Sequence, residues 1–356
     1  MTSQSLGAAL QGEQVGDYRL INHIGGGHFG VVFEAENVNT GSRFAIKVLP
    51  PTSDTEASSD FDSEGLLLKK LSRCSSVVNW IETDVAIRQM AFQGGSFPIP
   101  IKFHALALAS GSLEELVNDP ATRNSMPWAE RVSHWRGAIK GVHQMHLNQV
   151  AHRDLKASNC LLMVSGGQTE LRLADLGRSK DFSQLPTLPP VAYLSGRGDL
   201  RFAPPEFLWL QGGSTGQDFR NADLYGLGSL LVELTTGHPM TALAIGSWQD
   251  ARKDGEKDYL SGRQRDLGVL RPQFRRAIKE LSEEVPPIIR HDTVSLLEQL
   301  CDPVPEQRQP RRALNKRFVS SGGLEWLLRR ADILSRRLAV ESRRPKHKGH
   351  KNRTAS

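Results

Sequence analysis

The sequence predicts an α+β fold of two lobes, a small strand-rich lobe followed by a larger, mainly helical one. Between Tyr18 and Leu49, apolar residues alternate along short segments separated by glycine-bearing turns, which is typical of an antiparallel sheet. Between Trp128 and Leu147, apolar residues recur at helical spacing. The chain has 356 residues, 38% of them hydrophobic, which is enough to bury a core in each lobe. We therefore expect a cleft where the two lobes meet.

The small lobe is expected to begin with three strands and one helix. The strands are predicted at Tyr18–Ile24, Val31–Ala35 and Arg43–Leu49, and Pro50 ends the third. A helix is predicted over Phe61–Leu71. We expect residues 1–16 to form a flexible lead, 17–107 the small lobe, 108–340 the large lobe with its terminal helix, and 341–356 a disordered basic tail.

Two segments of the large lobe carry weaker signals. Leucines between Leu324 and Leu338 form a partly helical stripe, which favours a terminal helix packed on its own lobe over a helix that binds a partner. Residues 249–282 are rich in Arg and Lys. A solvated helical insert is favoured there, and a docking face for an acidic partner is the alternative.

The charge balance restricts the partners. The net charge is +6, and six basic residues with no acid lie between Arg343 and Arg353. A solvated tail is favoured, with an acidic docking partner or anionic lipid as alternatives. Nucleic acid is disfavoured because no aromatic residues alternate with the basic ones.

A cytoplasmic protein is expected. Cys74, Cys160 and Cys301 are scattered, which argues for a reducing compartment without disulfides. The first residues lack the basic start and apolar run of a signal peptide. The longest apolar region, 224–248, is interrupted by Glu233 and Pro239, so no membrane span is predicted.

A glycine cluster follows the first strand. Glycines at positions 25, 27 and 30 allow a strand–turn–strand to pass close over phosphate groups, with Phe29 at its tip shielding them from water. Such a cluster is a weak signal alone, since glycine-rich hairpins without a ligand are common. The next element is a strand and not a helix, which argues against a dinucleotide-binding unit.

A charged pair is expected between the third strand and the helix. Lys47 lies among apolar residues in Ala45-Ile-Lys47, and a phosphate-binding lysine needs an acid to orient it. Glu64 is the candidate acid. Taken singly, each residue could equally be a surface side chain.

The strongest signal is His152-Arg-Asp-Leu-Lys-Ala-Ser-Asn159. Asp154 is the candidate to accept a hydroxyl proton, and Lys156 can neutralise charge on a moving phosphoryl group. Asn159 supplies a hard oxygen ligand for magnesium. Asp175, in Leu173-Ala-Asp-Leu-Gly177, follows a short apolar strand and is a second candidate ligand. Few other roles explain this ordered set of polar residues, and His152 is interpreted as structural.

Together these motifs resemble the eukaryotic-type (Hanks-type) protein serine/threonine kinase family over about residues 18–312. The resemblance implies a two-lobed protein-kinase-like fold, use of ATP and Mg²⁺, and transfer of the γ-phosphate to serine or threonine hydroxyls of protein substrates. It implies a signalling role. The implied catalytic residues are Asp154, Lys156, Lys47 and Glu64; the ATP-binding residues are Ile24, Gly25, Gly27, Phe29, Gly30, Val32, Ala45, Lys47 and Leu161; the metal ligands are Asn159 and Asp175.

The resemblance also implies structural roles further along the chain. Pro204-Pro-Glu206 stands where the family has Ala-Pro-Glu, at the end of the activation segment. Asp223 resembles the buried aspartate that braces the catalytic loop. Arg308 resembles the arginine that pairs with the glutamate, here Glu206. Breaking this buried pair from one side is expected to destabilise the large lobe.

Two positions depart from the family pattern. Leu176 replaces the usual phenylalanine and keeps an apolar side chain there. Asp199 stands where these kinases usually have threonine, which adds a negative charge near Asp154 and could pair with Lys156.

Activation-segment phosphorylation is a further hypothesis. The segment from 181 to 195 holds hydroxyl side chains, and Arg153 precedes the catalytic Asp154, where a loop phosphate often binds in the family. Autophosphorylation is expected at one of four residues: Ser183, Thr187, Tyr193 or Ser195.

An active kinase is the favoured function. The alternative of a nucleotide-binding pseudokinase scaffold predicts loss of one of four residues that are all present: Lys47, Asp154, Asn159 and Asp175. A small-molecule phosphotransferase is disfavoured because it is not expected to carry Lys156 together with Glu206, Asp223 and Arg308.

Overall fold

A computed structural model of the protein describes residues 10–27, 30–50, 54–92, 95–186, 189–196, 198–310 and 323–343. The small lobe is a curved antiparallel sheet in the order β1-β2-β3-β4-β6-β5, with one long helix against it. Its elements are β1 (Gln14–Val15), β2 (Tyr18–Gly27), β3 (Gly30–Asn37), β4 (Arg43–Val48), α1 (Thr55–Lys70), β5 (Trp80–Phe92) and β6 (Gly95–Ala107). Arg88 of β5 pairs with Glu13, the residue before β1, at 2.9 Å. Strands β1 and β5, the first and last in this order, therefore lie close together.

Helix α1 begins where the sequence provides a cap. The Asp54 carboxylate accepts hydrogen bonds from the backbone N–H groups of Glu56 and Ala57 at 2.9 and 3.2 Å. Lys69 and Lys70 lie in the last turn, where cations favour the helix dipole. The buried face includes Glu64, and this carboxylate therefore points from α1 toward the sheet.

The large lobe is mainly helical. Its helices are α2 (Leu113–Asn118), α3 (Pro120–Ser125), α4 (Trp128–Leu147), α5 (Pro190–Leu194), α6 (Pro205–Leu208), α7 (Gly216–Thr236), α8 (Met240–Ile245), α9 (Trp248–Leu260), α10 (Arg271–Ser282), α11 (Pro287–Leu300) and α12 (Glu325–Ser342). Its short strands are β7 (Gly111–Ser112), β8 (Val150–Ala151), β9 (Cys160–Ser165), β10 (Gln168–Leu173) and β11 (Lys180–Asp181). Helix α7 is buried along nearly its whole length and forms the centre of the lobe.

The lobes share one apolar core. That cluster includes Leu68 of α1 and Ala45 of β4 together with Trp135 of α4 and Leu173 of β10, while a second cluster fills the sheet of the small lobe. The backbone also joins the lobes, because the Val78 N–H donates to the Leu173 carbonyl at 2.8 Å. These contacts fix the strand that leads to Asp175 beside the small lobe.

The two-lobed α+β fold is confirmed, and α4 spans the predicted Trp128–Leu147. Helix α1 begins six residues before the predicted Phe61, at Thr55, because the cap lies at Asp54. The long β5–β6 hairpin was not predicted.

The expected flexible lead is wrong for its second half. Leu10 and Val15 are buried in the small-lobe core, because the sheet presents an apolar surface that these side chains cover. The terminal helix extends to Ser342, two residues into the expected tail. The rest of the basic tail lies outside the described residues. Among the described residues, no helix is long and apolar enough to span a bilayer.

Candidate active site between the lobes

A buried ion cluster links the lobes. Lys47 Nζ contacts Glu64 Oε2 at 2.7 Å and Oε1 at 2.9 Å, and it also contacts Asp175 Oδ1 at 2.9 Å. The backbone N–H of Leu176 donates to Glu64 Oε1 at 3.2 Å. Strand β4, helix α1 and the turn after β10 each contribute one charged group. In the sequence, Lys47 is 17 positions from Glu64 and 128 positions from Asp175, and the fold brings the three together.

Electrostatics keep the amine of this cluster charged. Burial lowers the pKa of Lys47, but the carboxylates of Glu64 and Asp175 outweigh it, so the pKa lies above its usual range. Burial raises the pKa of Glu64, and the charge of Asp175 adds to this effect while Lys47 opposes it. Burial also acts to raise the pKa of Asp175, but the Lys47 charge prevails and the pKa is lowered. One cation facing two carboxylates leaves an excess of negative charge at the cleft.

The glycine-rich ends of β2 and β3 lie beside Lys47, because a Cβ at Gly30 would lie 3.6 Å from Lys47 Cγ. Gly30 has φ +134°, and a Cβ there would lie 2.6 Å from the Val48 carbonyl oxygen, so only glycine fits. Gly25 and Gly27 lie on β2, paired with Val32 and Gly30 of β3. Ile24 is half-exposed, at 50%. Phe29, the predicted tip, lies outside the described residues.

An apolar slot lies deeper in the cleft. Val32, Ala45 and Leu161 belong to the same apolar cluster, the first two from the small lobe and the third from β9 of the large lobe. Leu106 of β6 pairs with Ala45 and is in the same cluster, and paired residues place their side chains on one face of a sheet. Both lobes thus contribute apolar side chains here, which suits contact with the two faces of a flat aromatic base.

The catalytic-loop candidates converge on Asp154. Lys156 Nζ lies 3.1 Å from Asp154 Oδ2. Asn159 Nδ2 donates to the Asp154 carbonyl at 2.7 Å and to Oδ2 at 3.2 Å. His152 Nδ1 accepts the Asp154 N–H at 3.3 Å, so His152 Nε2 carries the proton and donates to the Ala174 carbonyl at 3.1 Å. His152 is fully buried, which agrees with its interpretation as a structural residue.

Asp223 of α7 braces this loop from beneath. Its carboxylate accepts hydrogen bonds from the backbone N–H groups of His152 and Arg153 at 2.9 and 2.7 Å. His146 Nε2 lies 2.8 Å from the same carboxylate. Arg153 has φ +68°, a left-handed conformation that is strained for a non-glycine residue and is maintained by these bonds. The brace directs the next residue, Asp154, into the cleft.

The oxygen donors fit magnesium. Asn159 turns its Nδ2 to Asp154, so its Oδ1 faces the other way, and the Ala174 N–H next to Asp175 donates to the Asn159 carbonyl at 2.9 Å. The Asp175 side chain is 39% exposed to the cleft. One carboxylate and one amide oxygen suit Mg²⁺, which takes few protein ligands and completes its shell with phosphates and water. The described residues contain no cluster of three or more His, Cys, Asp or Glu that would hold a metal by itself.

A buried ion pair fixes the end of the activation segment. Arg308 Nη1 and Nη2 contact the two oxygens of Glu206, each at 2.7 Å.

The sequence model of the protein kinase domain matches residues 18–319, most of the chain. The chain belongs to the protein kinase domain family.

Curated relatives of this kinase are distant. Cyclin-dependent kinase 9-A of Xenopus laevis is 27% identical over 232 residues, 64% of this chain and 58% of that protein. Cyclin-dependent kinase 9 of Homo sapiens is 27% identical over 229 residues, with the same shares. The G-type lectin S-receptor-like serine/threonine-protein kinase At1g61480 of Arabidopsis thaliana is 25% identical over 233 residues, 65% of this chain and 26% of that protein. The chain thus matches 58% or less of the length of each of these relatives.

Asp199 adopts an arrangement that the sequence left open. Its carboxylate pairs with Arg201, whose Nη2 lies 2.6 Å away, and not with Lys156. Burial acts to raise the pKa of Asp199, but the Arg201 hydrogen bonds outweigh it and lower the pKa. The Asp199 backbone N–H donates to Asp154 Oδ1 at 3.3 Å. The extra charge is therefore neutralised locally, and Lys156 remains on Asp154.

Sequence reasoning missed two residues of this kinase site. Leu106 could have been found from strand alternation, had the β5–β6 hairpin been recognised. Glu233 of α7 was interpreted only as an interruption of an apolar run. Its carboxylate is buried and accepts the Ala157 N–H of the catalytic loop at 3.0 Å. Burial raises the pKa of Glu233 to about 7.

Proposed function

We propose that this kinase transfers the γ-phosphate of ATP to serine or threonine hydroxyls of protein substrates in a Mg²⁺-dependent reaction. The convergence of four groups on one cleft carries the proposal. Lys47 comes from the small lobe, and Asp154, Asn159 and Asp175 come from the large lobe. Phosphoryl transfer depends mainly on positioning and charge neutralisation, which these groups supply.

ATP binding is assigned to the apolar side chains and the glycines around Lys47. Val32 and Ala45 of the small lobe and Leu161 of the large lobe would contact the two faces of the adenine, with Leu106 beside Ala45. Gly30, next to Lys47, would allow the backbone to approach the phosphates closely. Lys47 is charged and held by Glu64, so it reaches the α- and β-phosphates without a large change of rotamer.

Asp154 orients the attacking hydroxyl. It needs little basicity, because phosphoryl transfer depends mainly on positioning and electrostatic stabilisation. Lys156, 3.1 Å from Asp154, is placed to neutralise charge on the transferred group. When bound to Asn159 and Asp175, Mg²⁺ supplies charge neutralisation for the phosphates.

The proposed acceptor is serine or threonine. Lys156 next to Asp154 suits a short hydroxyl side chain, whereas a tyrosine ring needs more room. The Arabidopsis relative is named as a serine/threonine-protein kinase. For this chain, the acceptor is tested by identifying the phosphorylated amino acid in a generic basic protein after incubation with labelled ATP and magnesium. Predominant phosphotyrosine would contradict the proposal.

An acidic docking partner has limited support from the basic segment 249–282. Several of its cations already have acidic partners: Arg252 with Glu256, Arg263 and Arg265 with Asp258, and Arg271 with Asp302. The cations that the sequence pattern offers to a partner are thus partly neutralised within the lobe.

Autophosphorylation remains part of the proposal, with Ser183 as the favoured site. Ser183 is exposed, whereas Tyr193 is buried and would have to leave the core first. Thr187 lies outside the described residues. Mass spectrometry of the purified chain incubated with ATP tests this, with Ser183→Ala as the matched variant and Ser195→Ala as its control. An unmodified segment in an active enzyme would remove this part of the proposal.

A further inference from the structure

A buried histidine lies between the ATP-site lysine and helix α1. His104 of β6 is directly paired with Lys47 of β4 and is fully buried. Its ring stacks on the Phe61 ring of α1, with centroids 3.9 Å apart and planes 11° from parallel. Phe61 lies one helical turn before Glu64. The histidine therefore touches the helix near the residue that holds Lys47.

The directions of the hydrogen bonds around His104 follow from the donors available. The Trp80 indole N–H can only donate, and it donates to Thr83 Oγ1 at 3.0 Å. The Thr83 hydroxyl proton is then directed to His104 Nδ1, 2.9 Å away. His104 Nε2 must carry the ring proton and donate it to the Phe61 carbonyl oxygen at 3.2 Å. A single polarised chain thus runs from the edge strand β5 to the middle of α1.

This chain of hydrogen bonds requires a neutral imidazole at His104. Burial lowers the pKa of His104, the Lys47 charge lowers it further, and it lies at about 3. The ring therefore holds one proton at any working pH, and the geometry assigns that proton to Nε2. A second proton on Nδ1 would oppose the Thr83 hydroxyl.

The packing around these hydrogen bonds leaves little room for α1 to shift. A Cβ at Gly65 would lie 3.0 Å from His104 Cε1 and 3.0 Å from Thr83 Cγ2, so the helix approaches the strands closely there. Lys102, two residues before His104, extends the polar row by contacting Asp62 at 2.6 Å and Ser58 at 3.0 Å. These contacts lie on the same face of β6.

We propose that His104 is a positioning residue for phosphoryl transfer: with Thr83 and Trp80 it sets the depth and rotation of α1 at which Glu64 meets Lys47. This inference rests on the proposed kinase activity. It differs from a purely stabilising role for a buried side chain, which would change the stability of the small lobe and leave the turnover of the folded enzyme unchanged.

The test compares three variants of the full chain. His104→Leu keeps an apolar group of similar size but removes both hydrogen bonds, and about a tenfold loss of kcat is expected. Thr83→Val keeps the shape and removes one bond, and about a threefold loss is expected, partly offset by water because Thr83 is exposed. Thr83→Ser restores the hydroxyl and should return kcat to within about twofold of wild type. Thr169→Val, an exposed threonine in β10, is the control for the methyl exchange.

Two readouts do not depend on activity. Nitrogen chemical shifts of His104 are expected to show the Nε2–H tautomer in the wild type and a mixture in Thr83→Val. In Thr83→Val and His104→Leu, amide hydrogen exchange is expected to be faster than in the wild type in α1 and unchanged in α4. The proposal is overturned by the Nδ1–H tautomer in the wild type, or by unchanged kcat in the folded Thr83→Val and His104→Leu variants, even where α1 exchange is accelerated.

These outcomes separate the proposal from the kinase assignment. A wild-type chain that shows no transfer activity contradicts the proposed function and, with it, a role of His104 in turnover, whereas an active wild type with unchanged kcat in the variants contradicts the role of His104 alone. If His104→Leu does not fold, Thr83→Val and the wild-type spectrum still decide.

Discussion

Two buried ion pairs of this kinase have almost the same geometry and different surroundings. Lys47 meets Glu64 at 2.7 Å, and Arg308 meets Glu206 at 2.7 Å. The Arg308 guanidinium also donates to the backbone carbonyls of Asp302, Asn221 and Pro303, all within the large lobe. Lys47 instead has Asp175 as its further partner, and that carboxylate is 39% exposed.

The difference separates architecture from function. An arginine enclosed by carbonyls and a carboxylate has no side left for a ligand, so its pair fixes the end of the activation segment to α7. A lysine whose second partner faces the cleft can exchange that partner for phosphate oxygens. The same type of ion pair thus has two uses, and the cation's remaining neighbours decide which.

The largest effect on stability is expected from Arg308→Met. This change leaves Glu206 buried without its cation, and breaking a buried pair from one side costs about 3–5 kcal/mol of unfolding free energy. Denaturant unfolding measures it. Arg337→Met is the control, because Arg337 pairs with Asp292 at the surface. Equal midpoints for the two variants would show that the enclosed pair has no special structural role.

Lys47→Met is expected to act mainly on turnover. Loss of a preorganised charge on the phosphates lowers kcat by about 10²–10³-fold. The loss of unfolding free energy should be smaller than for Arg308→Met, because the site borders the open cleft and water can reach it. Steady-state kinetics and denaturant unfolding on the same preparation measure both. Unchanged turnover would contradict the assigned role of Lys47.

Glu233 provides a third case, a buried acid that accepts a hydrogen bond from the backbone N–H of Ala157. Its pKa is raised from 4.5 to about 7 by burial, so its contribution to stability is complete below about pH 4.5 and is lost as the pH rises through 7. Glu233→Gln keeps an oxygen for the Ala157 N–H and removes this dependence. Relative to wild type, the variant should gain about 3 kcal/mol of unfolding free energy between pH 4.5 and 8. A difference that is flat across this range would contradict the raised pKa.

The smallest effect is expected at the surface pair that joins α1 to β11. Lys70 contacts Asp181 at 2.6 Å, and the Lys70 side chain is 33% exposed. Lys70→Ala should lower the unfolding free energy by about 0–1 kcal/mol, and the difference should vanish in high salt. Urea unfolding at two salt concentrations measures it. If the loss of unfolding free energy persisted in high salt, the pair would behave like the buried ion pairs, and its assignment as a weak surface pair would be wrong.

The sequence was sufficient where chemistry fixes residue identity. Asp154 and Asn159 could be predicted because a few polar residues in fixed order have few other uses. The pairing of Arg308 with Glu206, 102 residues apart, could be expected only from the family resemblance, because local patterns contain no information on distant contacts.

Other features depend on tertiary contacts that no short pattern shows. Asp199 could have paired with Lys156 or with Arg201, and the local turn decides for Arg201 through the Arg201 N–H, which donates to Asp199 at 3.0 Å. His104 acquires its role only when β6 pairs with β4 and packs on α1. Glu233 lies within an apolar stretch, and its contact with the catalytic loop depends on how α7 lies beneath that loop.

The most direct test of the proposed function is the rate of phosphate transfer from ATP to a basic protein by Asp154→Ala, measured at nucleotide concentrations that saturate binding. The convergence of Lys47, Asn159 and Asp175 with Asp154 predicts a rate about 10²–10⁴-fold below wild type with nucleotide affinity retained. Transfer at the wild-type rate, or a wild-type chain that neither binds nucleotide nor transfers phosphate, would contradict it.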